Sequence, residues 1–255
     1  MSGLEFGFLV VAGIGAGLSG SIAGLASLIS YPALLATGIP PVTANVTNTV
    51  ALVLNSVGSV SASGPELRGQ GRRLLPLILA AVLGGITGAA LLLLTPAEAF
   101  EMVVPFLIAA ASGAILVQRS PRDLAAEGAA HHADHRYPRW LPLGTFAIGI
   151  YGGYFGAAAG VLLLAMYLLG TGESLPRGNA MKNVVLGAAN AVASVGFVLF
   201  ASIAWSAALP LAAGLLAGGL LGPRVVRRAP QTALRRAIAV AGLGLAVALG
   251  IQAFT

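Results

Sequence analysis

The chain has 255 residues, of which 57% are hydrophobic and 9% are charged, and its mean hydropathy is +0.91. Soluble domains carry roughly 25% charged residues, so a water-soluble fold is excluded and repeated apolar stretches of bilayer length predict an all-α polytopic membrane protein. The net charge of +6 comes from arginines gathered in short joints, the pattern of cytoplasmic anchors rather than of a nucleic-acid surface, and the lack of cysteine removes disulfides, thiolate metal sites and cysteine nucleophiles.

The stretch Met1 to Glu5 enters apolar sequence without a basic leader region, so it reads as mature structure and not as a cleaved signal. In chain order the apolar segments then fall at 6–36, 42–63, 74–95, 99–117, 140–170, 178–201, 205–223 and 237–254. Segments 6–36 and 140–170, at roughly 30 residues, are too long for one crossing. Both are interrupted by glycines, Gly13 to Gly24 in one and Gly149 to Gly160 in the other. Glycine at that density packs helices closely or breaks a helix where backbone lines a cavity. The expected breaks are Ser19-Gly20-Ser21 and Tyr151-Gly152-Gly153-Tyr154, where a helix N-terminus in mid-membrane would offer unpaired amides to an anion.

The second half repeats the first at an offset of 135, then 134: Pro41, Asn48, Asn55 and Ser59 fall on Pro176, Asn183, Asn190 and Ser194, and Gly84-Gly85 with Gly88 falls on Gly218-Gly219 with Gly222. Paired Asn, Pro and Gly-Gly do not follow from hydrophobicity alone, so the chain reads as a duplication. The charges of equivalent joints are swapped. Arg68, Arg72 and Arg73 face an uncharged counterpart near 200–207, whereas Glu98 and Glu101 at 95–101 face Arg224, Arg227, Arg228, Arg235 and Arg236. Under the positive-inside rule the halves are inverted in topology. Four plain helices per half in parallel orientation would strand five arginines outside. Each half is therefore expected to be a glycine-rich re-entrant hairpin, or two short helices, followed by three transmembrane helices. The expected units are a first repeat over 1–117, a cytoplasmic linker loop over 118–139 with Arg119, Arg122, Arg136 and Arg139, and a second repeat over 140–255.

The first crossing of each half carries a polar stripe. Asn45, Asn48, Asn55 and Ser59 lie at helical spacing, and Asn183, Asn190 and Ser194 repeat them. Such amides either glue helices together, at about 0.6–2 kcal/mol per contact, or line a path where uncharged amides replace an anion's hydration. Lys182, the single lysine, either snorkels to the cytoplasmic interface or attracts an anion into the vestibule. Glu173 can pair with Arg177 or Lys182 or carry a proton, and reads most simply as an ordinary loop salt bridge. The cluster His131, His132, Asp134 and His135 could hold a metal but reads more simply as solvated loop. No acidic residue is expected within a span, which leaves a carboxylate proton relay or sodium site without a carrier. No catalytic group can be gathered in the membrane, so the chain reads as no enzyme and as needing no cofactor or metal.

The sequence resembles the TauE/SafE family of membrane transporters, also called sulfite exporters. The resemblance is carried by the glycine-rich start from Gly13 to Gly24, by Tyr31-Pro32-Ala33-Leu34-Leu35, by Gly38-Ile39-Pro40-Pro41, by Ala44-Asn45-Val46-Thr47-Asn48 and by Arg177-Gly178-Asn179-Ala180-Met181-Lys182-Asn183. It spans essentially the whole chain, although the glycine triplet frequent in the family's second hairpin is here Ala157-Ala158-Ala159-Gly160. It implies movement of sulfite, sulfoacetate or other organosulfonates across a bacterial inner membrane. The expected binding residues are Asn45, Asn48, Asn55, Ser59, Lys182, Asn183, Asn190 and Ser194, with Ser19, Gly20, Ser21, Gly152, Gly153 and Tyr154 at the hairpins. A passive anion channel, a non-transporting scaffold subunit and, more weakly, a metal-cation transporter are the alternatives. The glycine-lined faces leave room for a homodimer. Partners are otherwise the bilayer and a small anion, with no nucleic acid.

Overall fold

A computed structural model describes residues 1–131, 137–225 and 231–254. Every regular element among them is a helix: α1 (Gly3–Ala23), α2 (Ser27–Leu35), α3 (Pro41–Ser61), α4 (Gly64–Leu67), α5 (Gly71–Leu94), α6 (Ala97–Val117), α7 (Pro121–His131), α8 (Leu141–Tyr154), α9 (Ala159–Thr171), α10 (Leu175–Phe200), α11 (Trp205–Val225) and α12 (Gln231–Phe254). Five of these, α1, α5, α6, α10 and α11, are long and apolar enough to cross a membrane. α3 equals α1 in length at 21 residues, but its asparagines, threonines and serines lower its hydropathy. Large apolar side chains such as Leu4, Leu94, Phe106, Val117, Leu143 and Phe200 point outward, as a lipid-facing surface requires. The protein is a multi-pass membrane protein.

Local chemistry sets the helix ends. Ser2 and Glu5 close a capping box at the start of α1, each accepting the other's backbone N–H. Prolines at the first turns of α3 and α10 cost no helical hydrogen bond there.

Both long segments are broken, but not where the sequence suggests. Ser19-Gly20-Ser21 and Tyr151 to Tyr154 are helical. The chain turns a few residues later, at Gly24 (φ +78°) and across Phe155 to Ala158, where Gly156 (φ +75°) and Ala158 (φ +60°) are left-handed. Gly24 and Gly156 adopt these angles without the penalty of a Cβ. The earlier glycines serve close approach instead: a Cβ on Gly20 would lie 2.6 Å from the Cβ of Ala26 and 2.9 Å from Asn55 Nδ2. The arms are also unequal in the first pair, with 21 residues in α1 and 9 in α2, against 14 in α8 and 13 in α9. Thus α1 is not a short arm.

The glycines of α5 and α11 do equivalent work. Gly84 and Gly88 bring α5 onto α8 at Gly149 and Gly153, while Gly218 brings α11 onto α1 at Gly17 and Gly222 meets Ser21. Between them, Gly85 seats on Ala189 of α10 and Gly219 on Asn55 of α3. The order of contacts runs the same way along both chains, so α1 lies parallel to α11 and α5 parallel to α8. Each broken helix is therefore packed along a crossing from the opposite half of the sequence, and α6 packs on α12.

The arginines collect at one end of the bundle. Arg73 at the start of α5 and Arg177 at the start of α10 both reach Glu173, and Arg119 after α6 shares a pocket with Arg236 at the start of α12. The stretch 118–139, expected to be a loop, instead contains helix α7, whose Leu124 packs with Leu164 and Leu168 of α9. The tryptophans Trp140 and Trp205 are half exposed at helix ends, as expected at membrane interfaces.

Candidate functional site

The turn after α1 and the start of α9 meet backbone to backbone. A Cβ added to Gly24 would lie 2.6 Å from Val161 N and 2.7 Å from Gly160 Cα, and one on Gly160 would meet Gly24 Cα at 2.7 Å. Beside this contact lies a small, partly open cavity of about 30 Å³, room for a water or two in this conformation. The broken pairs supply Gly20, Gly24, Ala26, Ser27, Gly152, Phe155 and Gly156. α3 supplies Thr49, Leu52, Asn55 and Ser56, and α10 supplies Asn183, Leu186 and Asn190. The lining is polar and carries no formal charge. At Ala26 and Ser27 the amino end of α2 opens on it, with the positive end of the peptide dipoles.

The asparagines fall into three kinds. Asn45 and Asn179 cap broken helices across the halves: Asn45 Nδ2 donates to Tyr154 O at the end of α8 at 2.9 Å, and Asn179 Nδ2 donates to Ser21 O near the end of α1 at 2.5 Å. These carbonyls belong to the last turns, where helical partners run out. Asn48 accepts from Ser30 Oγ at 2.5 Å, and Asn55 from Ser21 Oγ at 3.3 Å. Asn183, like Asn48, is buried with no partner for its amide nitrogen, and of the two only Asn183 lines the cavity. Buried amides are nearly always paired, so an unused donor at a cavity wall suits the oxygens of an oxyanion.

Of the expected residues, the cavity thus brings together Asn55, Asn183, Asn190, Gly20 and Gly152. Asn45 and Asn48 are buried outside it. Ser19 and Ser59 donate to their own helices, at Ala16 O and Ser56 O, and Ser194 donates to Thr49 O. Ser21 holds Asn55, Tyr154 presents its carbonyl to Asn45, and Gly153 packs on Gly85. Lys182 neither snorkels nor reaches a vestibule: it is 0% exposed, and its Nζ donates to Gly20 O at 2.7 Å. A helix C-terminus, with its negative dipole end, is a favourable seat for that amine. Asn179, part of the motif shared with the family, is absent from the expected binding residues because its match to Asn45 needs the offset 134, not 135. Gly24, Gly156, Thr49 and Phe155 were also missed, and only the break positions could have pointed to them.

Away from the cavity, Glu173 is 2% exposed and is held by Arg73 and Arg177 at 3.5 Å each, by Gln70 Nε2 at 3.4 Å and by the Tyr137 hydroxyl at 3.5 Å. It does not pair with Lys182. Burial, reinforced by the Glu173 carboxylate, pushes the Tyr137 phenol up to about 12. Glu101 corrects the expectation of acid-free spans: Pro96 starts α6 early, so Glu101 stands in its second turn, inside a helix long enough to cross. His131 bonds through Nδ1 to Glu127 O at 2.8 Å. His132, Asp134, His135 and Arg136 lie outside the described residues, as do Arg227 and Arg228. Among the described residues there is no grouping of three metal-ligating side chains.

Comparison with known proteins agrees with this architecture. The family model described as sulfite exporter TauE/SafE matches residues 9–249. The chain is similar to "Probable membrane transporter protein ORF9" of a Sinorhizobium species, 24% identical over 95% of this chain and 91% of the relative. It is also similar to a "Probable membrane transporter protein" of Haemophilus influenzae, 28% identical over 86% and 84% of the two chains. "Probable membrane transporter protein YfcA" of Escherichia coli is 25% identical over 94% and 87%. No solved structure matches.

Proposed function

The chain belongs to the sulfite exporter TauE/SafE family of membrane transporters, not enzymes, and on that premise we propose that it is a secondary carrier of small sulfur-containing anions, such as sulfite, sulfoacetate or other organosulfonates, in a bacterial inner membrane. The observation that carries this reading is the central cavity, walled by Asn55, Asn183 and Asn190. Neutral amides and backbone amides replace an anion's hydration while releasing it more readily than a fixed cation would, and the Asn183 amide nitrogen at this wall has no partner in the protein. The family description favours sulfite and its derivatives among such anions.

The mechanism proposed is alternating access between two inverted halves, the first ending with α6 and the second beginning with α8. Two features support inversion. The paired contacts of α1 with α11 and of α8 with α5 use repeat-equivalent glycines. Arginines also stand at the start of α5 yet at the end of its repeat partner α11. Under the positive-inside rule the arginine-bearing end faces the cytoplasm.

Flux into proteoliposomes of the purified protein tests the proposal, with labelled sulfite, sulfoacetate and taurine compared against chloride and a divalent metal. Saturable sulfite or sulfonate flux with counterflow is the expected result. Flux without counterflow would mean a channel, and well-folded protein that moves no oxyanion would overturn the reading.

A further inference from the structure

A second pocket lies beyond a pair of aromatic rings, one ring lining the central cavity and the other lining that pocket. That pocket is lined by Tyr31, Pro41, Glu101, Val104, Leu249 and Ala253, so it lies among α2, the start of α3, the start of α6 and the end of α12. These helix ends are at the end of the bundle opposite Arg73, Arg119 and Arg236. Phe155, which lines the central cavity, stands edge-on to Tyr31, which lines the outer pocket, with ring centroids 5.4 Å apart and planes at 84°. Phe100 closes the flank, 6.1 Å from Phe155 and 5.9 Å from Tyr154. All but Tyr154 are almost fully buried.

We infer that the solute passes between the central cavity and the arginine-poor face of the membrane at this point, with Phe155 against Tyr31 as the barrier and the Glu101 pocket as the vestibule beyond it. This rests on the reading of the central cavity as the transport site. Phe155 suits the role because it belongs to the turn between α8 and α9 and is followed by left-handed Gly156, so its ring can withdraw without unwinding either helix. Tyr31 is the complementary half. Its hydroxyl is buried without a hydrogen-bond partner in the protein, so it has a donor and an acceptor to offer a polar solute that enters the pocket. The Glu101 carboxylate sets the chemistry of the vestibule. An anion that has passed the rings meets a like charge and does not dwell there, which makes the pocket a passage and not a second store.

The chain has no cysteine, so single cysteines report position without a background. Thr49→Cys places a thiol in the central cavity and Val104→Cys one in the vestibule, each in a native and a Phe155→Ala background, with Phe155→Leu as a second variant that keeps apolar volume. A membrane-impermeant thiol reagent is added to one side of oriented vesicles at a time. Val104→Cys is expected to react from the arginine-poor side in every background. Thr49→Cys is expected to react slowly from that side while the ring is present, and faster by on the order of tenfold once it is removed, as for loss of about 1.4 kcal/mol of barrier. Equal rates for Thr49→Cys with and without the ring, acceleration only from the arginine-bearing side, or an unreactive Val104→Cys would overturn the proposal. Labelling needs no substrate, so absent sulfite flux would sink the substrate reading and leave this result intact.

Discussion

Gly24 and Gly160 touch through bare backbone where the two broken helix pairs meet, and there is no room for a methyl group on either. Gly24 carries the further demand of a φ of +78°, which it shares with Gly38, a glycine whose Cβ would point into open space. The pair separates two physical effects. Gly38→Ala should lose only the conformational term, roughly 1–2 kcal/mol. Gly24→Ala should lose that and a further ~1–3 kcal/mol of overpacking, seen as a much lower thermal midpoint in detergent.

Asn179 and Asn183 stand one turn apart on α10 but do different work. Asn183→Ala removes an amide nitrogen with no internal partner, so the thermal midpoint should barely move. A hydrogen bond to a charged ligand is worth about 1.5–3 kcal/mol, so KM for the transported anion should rise on the order of tenfold. Asn179→Ala strips the cap from Ser21 O and should destabilise the protein by ~1–3 kcal/mol. Unfolding and flux measured on both variants check the contrast, and a reversed pattern would move the binding role to Asn179.

For Lys182, substitution by Met should leave a folded protein. Gly20 O keeps the N–H of Gly24 at 2.9 Å, so its carbonyl is not orphaned, and exchanging a buried polar head for apolar volume is often neutral or stabilising. Gly20 also lines the cavity. If the amine contributes positive potential there, Lys182→Met raises KM for the anion; an unchanged KM would assign it to holding α1 alone.

Glu173 ties the start of α5 to the joint before α10. Arg73 and Arg177 are nearly half exposed, at 47% and 46%, so solvent screening limits each pair to about 1 kcal/mol or less. Glu173→Gln should accordingly lower the thermal midpoint by only a few degrees. Glu173→Leu, which also abandons Gln70 and the Tyr137 hydroxyl, should lower it further. Equal effects of the two would show that charge, not hydrogen bonding, holds this end together.

Composition and period made the membrane class, the spans and the two over-long segments legible, because twenty apolar residues have few other uses. The polar stripe on α3 and α10 was legible for the same reason, since Asn48 and Asn183 stand out against apolar neighbours. The turns were not. Among many glycines, only three-dimensional contact distinguishes Gly20, needed for closeness to Asn55, from Gly24, needed for its φ. Lys182 was misjudged because nothing local in the sequence says that the end of α1 comes to meet it from across the chain. Glu101 stands in the expected joint 95–101, which Pro96 in fact closes five residues sooner.

The seating of α1 along α11, and of α8 along α5, has a consequence for how the chain is made. When α1 leaves the ribosome its glycine face has no partner, and α11, the helix it will lie against, is synthesised nearly two hundred residues later. A polypeptide stopped after α6 would hold α5 without α8 and α1 without α11, two vacant grooves that an identical neighbour, inserted the other way up, could fill with its own. On the inverted-repeat reading proposed above, the molecule is a swapped pair written as one chain, and its two halves, produced separately in the same membrane, should be recovered as one complex.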